Sequence, residues 1–327
     1  MNSAAIRKAF VLGAGLGKRL RPLTAQLPKP LIPIYQKPLI TFAFDHLLAS
    51  GVTDIIVNTH HCAEAYEALF SPVDNVFSYG KATVTLRNEP VLLETGGGIK
   101  NIEDWAQGES FIVYNGDILA DPPLEHLVRQ HQESGNVATL LLRSSGGPLQ
   151  VQWDSRSKNI VDIGRKAETY YDGPDFLFSG IYILDPKIFS WLRNGEITSI
   201  IPIFLEMIAR KEKVGGFLCD DGMWFDLGER DAYLDAHADI ARKNFQFSYP
   251  ISGPWPVRIA ESASVAEDAS LEGVVVIGEG SRVESGVTLR DTIIWQDSEI
   301  TSGSVLNRCI VTSNQSVKGS FSERDFG

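Results

Sequence analysis

The run Gly13-Ala14-Gly15-Leu16-Gly17-Lys18-Arg19-Leu20-Arg21-Pro22-Leu23-Thr24 sets three glycines directly before three cations, and Pro28-Lys29-Pro30 adds a fourth. Glycines let backbone N–H groups turn toward an anion and form a nest of positive partial charge. Four cations within twelve residues, Lys18 to Lys29, in a chain of net charge −11 suggest a polyphosphate site. A solvated basic turn is the plain alternative. Two familiar phosphate loops fail here. A dinucleotide-binding loop, G-x-G-x-x-G, needs glycine where Lys18 stands. A P-loop, G-x-x-x-x-G-K-[ST], needs glycine at Leu12 and a metal-holding hydroxyl at Arg19.

Such a turn has to be held at a strand end. Ala9–Leu12, Asp54–Thr59, Ser110–Tyr114 and Val137–Leu142 are apolar runs that read as buried strands. Leu39–Ala49, Ala63–Phe70 and Leu124–Glu133 have helical spacing between them. Alternating strands and helices predict an α/β domain with a mostly parallel sheet, covered on both faces, that binds ligands at the carboxyl ends of its strands.

The rest of the chain changes character. Residues 246–257 hold three prolines and a glycine and read as a linker. Beyond them Ile259, Val265, Leu271, Ile277, Val283, Leu289 and Trp295 recur every six residues. Small or β-branched residues follow four positions after each anchor from Ala263 to Ile293. After Trp295 the frame slips by one, to Ile294, Ile300, Leu306 and Thr312. This is the pattern of a hexapeptide β-helix of three coils, each anchor filling a triangular bore; a meander of short antiparallel strands is the other reading. The expected organisation is therefore an α/β domain over 1–245, a linker over 246–257, a β-helix over 258–318 and a tail over 319–327.

Composition narrows the function. Apolar residues make up 43% and charged residues 22%, which is ordinary globular usage. A net charge of −11 argues against nucleic acid and acidic membrane surfaces as partners. The N-terminus reaches glycines before any useful apolar run, and no stretch of about 18 apolar residues follows. Cys62, Cys219 and Cys309 lack metal-like spacing and read as idle thiols. A cytoplasmic location is expected. His60 and His61 have no third ligand near them in sequence, and His126 and His131 are expected to be solvated on a helix flank.

GAGLGKRLRPLT and PKPLIPI, followed by Leu93-Glu94-Thr95-Gly96-Gly97-Gly98, Asn115-Gly116-Asp117, Phe178-Ser179-Gly180-Ile181-Tyr182 and Trp224-Phe225-Asp226-Leu227-Gly228, resemble the nucleotide-sugar pyrophosphorylases in order and spacing. The resemblance implies a Rossmann-like catalytic domain followed by a left-handed parallel β-helix. It also implies a reaction in which a sugar 1-phosphate attacks the α-phosphorus of an NTP in line, giving an NDP-sugar and pyrophosphate.

By the same resemblance Arg19 and Lys29 are catalytic, and Asp117 and Asp226 hold Mg²⁺. The nucleotide falls to Leu12, Gly13, Ala14, Gly15, Gly17, Lys18, Glu89, Glu94, Thr95 and Gly96, and the sugar phosphate to Asn115, Lys166, Ser179 and Gly180. Asp117 also reads as a plain turn residue, and Asp226 as a helix cap. At the family position that reads the base stands Glu89, often Gln in relatives, and its carboxylate suits uracil N3–H or the guanine edge.

This chain departs from the pattern at Gly164-Arg165-Lys166-Ala167-Glu168, where many relatives have Glu-Lys-Pro, and at Phe178, where many have Asn. ETGGGI, NGD and FSGI are closest to N-acetylmuramate and N-acetylglucosamine 1-phosphate uridylyltransferases and favour UTP. The repeats are like those of mannose-1-phosphate guanylyltransferases, so GTP, with mannose or heptose 1-phosphate, is the alternative.

Two other classes compete. Hexapeptide acyltransferases use a histidine base, and no histidine follows His237. A non-catalytic NDP-sugar-binding regulatory subunit usually lacks a catalytic cation or carboxylate. A homo-oligomer formed through the repeats is expected.

Overall fold

The computed structural model describes residues 5–166 and 171–327. The chain forms two compact units, and the division does not follow the boundary expected from sequence. One holds the residues through Gly15, Phe42–Phe225 and Ser248–Pro250. The other holds Leu16–Thr41, Asp226–Phe247 and Ile251–Gly327.

The first unit is built on a ten-stranded sheet. Its strands are β1 (Lys8–Leu12), β2 (Asp54–Thr59), β3 (Val76–Tyr79), β4 (Ala82–Asn88), β5 (Phe111–Asn115), β6 (Ala138–Arg143), β7 (Val151–Asp154), β8 (Asn159–Ile163), β9 (Asp175–Leu184) and β10 (Val214–Leu218). Their order across the sheet is β7-β8-β10-β6-β9-β5-β1-β2-β4-β3. β1 pairs in parallel with β2 and β5, in the continuous-apolar manner of strands buried on both faces. β3, β8 and β9 run against the others.

The helices α1 (Leu39–Ala49), α2 (Ala63–Phe70), α3 (Glu94–Lys100), α4 (Leu124–Ser134) and α5 (Ile200–Ala209) complete the α/β pattern, α1 spanning the division between the units. The core gathers Phe10, Ile56, Val113, Leu140, Tyr182 and Phe204. On α4 the buried residues are Leu124, Leu127 and His131. His131 is thus not solvated: it meets Thr139 Oγ1 at 2.9 Å, and burial lowers its pKa to about 4. No helix among the described residues is long and apolar enough to cross a membrane.

In the second unit three four-stranded parallel sheets stack as repeats, the arrangement of a β-helix. One face aligns Val265, Val283, Ile300 and Val317; another aligns Leu271, Leu289, Leu306 and Phe321; the third aligns Ile277, Ile294, Val311 and Phe326. The antiparallel meander is therefore ruled out.

Two corrections to the hexad count follow. Ile294 fills the bore, while Trp295 is buried outside it with Nε1 donating to Tyr233 Oη at 3.1 Å. The frame slips in every later coil, so Val311 replaces Thr312 as the anchor. The cause is a corner one residue shorter, turned by Asp291, Arg308 and Glu323 at positive φ. The coils also run beyond residue 318, since Ser320–Ser322 and Asp325–Phe326 are paired strands where a tail was expected. Within the stretch expected to be a linker, Trp255 packs edge-on against Tyr35 at 5.3 Å.

The helix α6 (Arg230–Lys243) joins the repeats to the segment Leu16–Thr41. His237 on α6 accepts from Tyr35 N at 3.0 Å and donates from Nδ1 to Tyr233 O at 2.8 Å. Burial lowers its pKa to about 4, which suits a neutral ring bridging two backbone groups.

Candidate active site

In the first unit the glycine-rich turn is fixed by strand ends. Leu12 O accepts from Gly116 N at 3.0 Å. Gly13 N donates to Asn58 Oδ1 at 2.8 Å, and Tyr66 Oη donates to Gly13 O at 3.0 Å. A Cβ on Gly13 would lie 2.6 Å from Asn58 O, and one on Gly116 would lie 2.6 Å from Leu12 O. Both positions must stay bare for the backbones to approach. Ala14 is buried, whereas Gly15 has open space where a side chain would stand.

Glu89, expected beside the base, is engaged by the protein. It is 1% exposed, accepts from Asn58 Nδ2 at 2.9 Å through one oxygen and from Leu93 N at 3.1 Å through the other. Burial raises its pKa, against the pull of those two hydrogen bonds. The carboxylate faces the protein and ties β2 and β4 to the start of α3. Asn58 and Tyr66 were not singled out from sequence, and Gly116 entered only as part of the block Asn115-Gly116-Asp117. The signal for Asn58 was available, since a polar residue closes the apolar strand DIIVNT. His60 is likewise committed to the protein, with Nδ1 2.7 Å from Glu89 O.

Other expected nucleotide residues also serve packing. Thr95 Oγ1 accepts from Ile200 N at 2.9 Å, and Gly96 N donates to Thr198 O at 2.7 Å, so this part of α3 is bound to the start of α5. Glu94 is exposed. Asp117 is half-buried after β5, and its charge, after burial itself, helps raise the pKa of Tyr66.

Of the residues expected at the sugar phosphate, the structure brings Asn115 and Gly180 together: a Cβ on Gly180 would lie 2.6 Å from Asn115 Nδ2. Ser179 is fully buried, its hydroxyl donating to Leu141 O at 2.9 Å, so that hydroxyl is a strut between β9 and β6. Lys166 is exposed and lines a cavity of about 730 Å³ with Arg165, Phe178, Gln150 and Ser199. Arg165 donates to Asp175 at 2.8 Å and holds that carboxyl below its usual range. Ala167 and Glu168 lie outside the described residues.

In the second unit the cations are presented by short turns. Thr24 Oγ1 donates to Gly17 O at 2.7 Å, and buried Leu20 and Leu23 pin the turn, leaving Lys18 and Arg19 exposed. Arg19 lies against Gly228, where a Cβ would be 2.8 Å from Nη2, and its Nη1 is 3.4 Å from Glu229 Oε1. Lys29 is 5% exposed and donates from Nζ to Asp226 Oδ1 at 3.1 Å. A buried ammonium needs such a partner.

No group of three or more His, Cys, Asp or Glu among the described residues is arranged to hold a metal ion. One or two carboxylates completed by substrate oxygens is the pattern of Mg²⁺, and half-buried Asp117 in the first unit and exposed Asp226 in the second are each a donor of that chemistry.

Comparison with known proteins agrees with this picture. The Nucleotidyl transferase family matches residues 8–243, and the GMPPB C-terminal domain matches residues 254–322. The UTP–glucose-1-phosphate uridylyltransferase of Synechocystis sp. is 27% identical, covering 93% of this chain and 82% of that protein. The mannose-1-phosphate guanylyltransferase of Mycobacterium tuberculosis is 28% identical, covering 92% and 83%. The solved structure of a UDP-glucose pyrophosphorylase from Acinetobacter baumanii shares the fold, with TM-score 0.61 and 19% identity over 74% of this chain and 95% of that one. The chain belongs to the Nucleotidyl transferase family and is a nucleotidyltransferase.

Proposed function

We propose that this enzyme joins a nucleoside triphosphate to a sugar 1-phosphate and releases pyrophosphate, with UTP as the nucleotide. One observation carries the reading: buried Lys29 is delivered to a carboxylate 197 residues away in sequence, Asp226. A costly buried ammonium next to the exposed Arg19 turn suits a phosphate site better than a solvated basic turn.

Both reactants are polyanions, so repulsion and the charge developing on the leaving oxygen dominate the barrier. Arg19 offers a planar fork to the departing pyrophosphate. Lys29, held by Asp226, offers a fixed ammonium to the attacked phosphate or the sugar phosphate. Gly15 leaves backbone bare beside the nucleotide, and Lys166 with Asn115 serves the sugar phosphate. Asp117 and Asp226 are the carboxylates assigned to Mg²⁺, which when bound neutralises phosphate charge. Glu89 positions the turn through Asn58 and does not touch the base.

The ETGGGI, NGD and FSGI blocks, like those of the N-acetylmuramate 1-phosphate uridylyltransferases, support UTP. So does the uridylyltransferase relative. GTP is the second reading, favoured by the C-terminal match and the guanylyltransferase relatives. The left-handed winding of the coils, a homo-oligomer and a reducing cytoplasm belong to the same proposal.

The test is a matrix of UTP, GTP, dTTP, CTP and ATP against glucosamine-type, muramic, mannose and heptose 1-phosphates, scored by pyrophosphate release. Release with UTP above all others is expected. A blank matrix with tight NDP-sugar binding would instead make the chain a regulatory subunit.

A further inference from the structure

The final coil of the second unit reaches the cationic segment directly at Pro22 and indirectly through Arg230. Arg230, the first residue of α6, donates from Nε to Asp325 at 2.7 Å and from Nη2 to Arg308 O. Asp325 and Arg230 are 14% and 23% exposed, so this pair is shielded from screening. On the other side Gly327 lies on Pro22: a Cβ there would be 3.1 Å from Pro22 Cβ. Pro22 belongs to the turn that presents Arg19, and Arg230 ends the run Asp226-Leu227-Gly228-Glu229. That run meets Lys29 through Asp226 and Arg19 through Gly228 and Glu229.

We propose that Asp325 is a positioning residue for nucleotidyl transfer. Through Arg230 it sets the run that carries Asp226 and backs Arg19, while the adjoining Gly327 sets Pro22. The repeats are then a working part of catalysis in the second unit. A run of five residues has little stiffness of its own, and a small misplacement of charge-stabilising groups costs rate steeply. The inference rests on the reaction proposed above.

The experiment compares full-length Asp325→Asn and Asp325→Glu with the parent enzyme. Asp268→Asn serves as control, because Asp268 also accepts from two neighbours, Ser285 and Gly286, but sits in the first coil. Turnover is read by pyrophosphate release well below each variant's Tm, and hydrogen exchange is read over residues 16–31 and 226–231.

Asp325→Asn is expected to lower kcat about tenfold with KM for both substrates changed less than about threefold, and to speed exchange in both segments. Asp325→Glu should recover most of the rate, and Asp268→Asn should lower Tm alone. A kcat for Asp325→Asn within about twofold of the parent overturns the proposal, as does loss of turnover without faster exchange. Should the parent release no pyrophosphate with any substrate pair, the reaction is at fault. The exchange data then decide the clamp, and unchanged exchange overturns it.

Discussion

Lys29 Nζ lies 3.1 Å from Asp226 Oδ1, with the lysine side chain 6% exposed and the aspartate 45% exposed. The pair therefore has a fixed, buried positive end and an accessible negative end. Asp226→Asn removes the charge and keeps the shape. It should lower kcat/KM by about 10²-fold and raise the Mg²⁺ concentration needed for half-maximal rate. An unchanged Mg²⁺ titration would reduce the carboxylate to a partner for Lys29.

Arg19 is 66% exposed, so its removal costs the fold little. Arg19→Ala should lower turnover by about 10²–10³-fold with an unchanged Tm. A loss below about fivefold would take this guanidinium out of the mechanism.

Glu89 offers a cleaner discrimination. Were its carboxylate to read the base, Glu89→Gln would change the ratio of UTP to GTP use. With both oxygens engaged by Asn58 and Leu93, the variant should instead slow both nucleotides by a common factor of about three to ten. Parallel kcat/KM measurements with the two nucleotides decide it.

His46, His131 and His237 are each lowered to a pKa of about 4, all mainly by burial. Their folded pKa lies below the unfolded value of about 6.5. The unfolded chain therefore takes up protons first as pH falls. Stability present above about pH 6.5 should decline through the window down to about 4. Ring titration by NMR should find these three of the chain's six histidines still neutral at pH 5.5.

The repeat register can be checked by stability alone. Ile294→Ala empties the bore and should cost about 2–4 kcal/mol. Trp295→Phe keeps most of the packing and loses one hydrogen bond to Tyr233, about 1 kcal/mol. Equal losses in urea unfolding would return Trp295 to the bore.

Much of this was legible before the coordinates. DIIVNT and LITFAFDHLLA end in the structure where their patterns end in sequence. Lys29 and Asp226, which the motif blocks put in separate roles, meet at 3.1 Å, a contact that no block stated. What stayed hidden was direction and register. β9 runs antiparallel between β5 and β6, and nothing in DFLFSGIYIL states which way it points. The hexad count misjudged Trp295 because an apolar side chain just past a shortened corner satisfies the same periodicity. Glu89 and Ser179 were given to ligands by resemblance, and neither motif states that they also bond Asn58 and Leu141, since hydrogen bonds across 31 and 38 residues cannot be read from spacing.

The approach of Gly116 to Leu12 has a further bearing on how such an enzyme diversifies. With backbone laid on backbone there, the turn after β1 and the turn that carries Asp117 form one stiff joint. Neither can be re-aimed without moving the other. If the cavity lined by Arg165, Lys166 and Phe178 takes the sugar as proposed, new acceptor preferences are written there, where side chains can be exchanged while that joint stays intact.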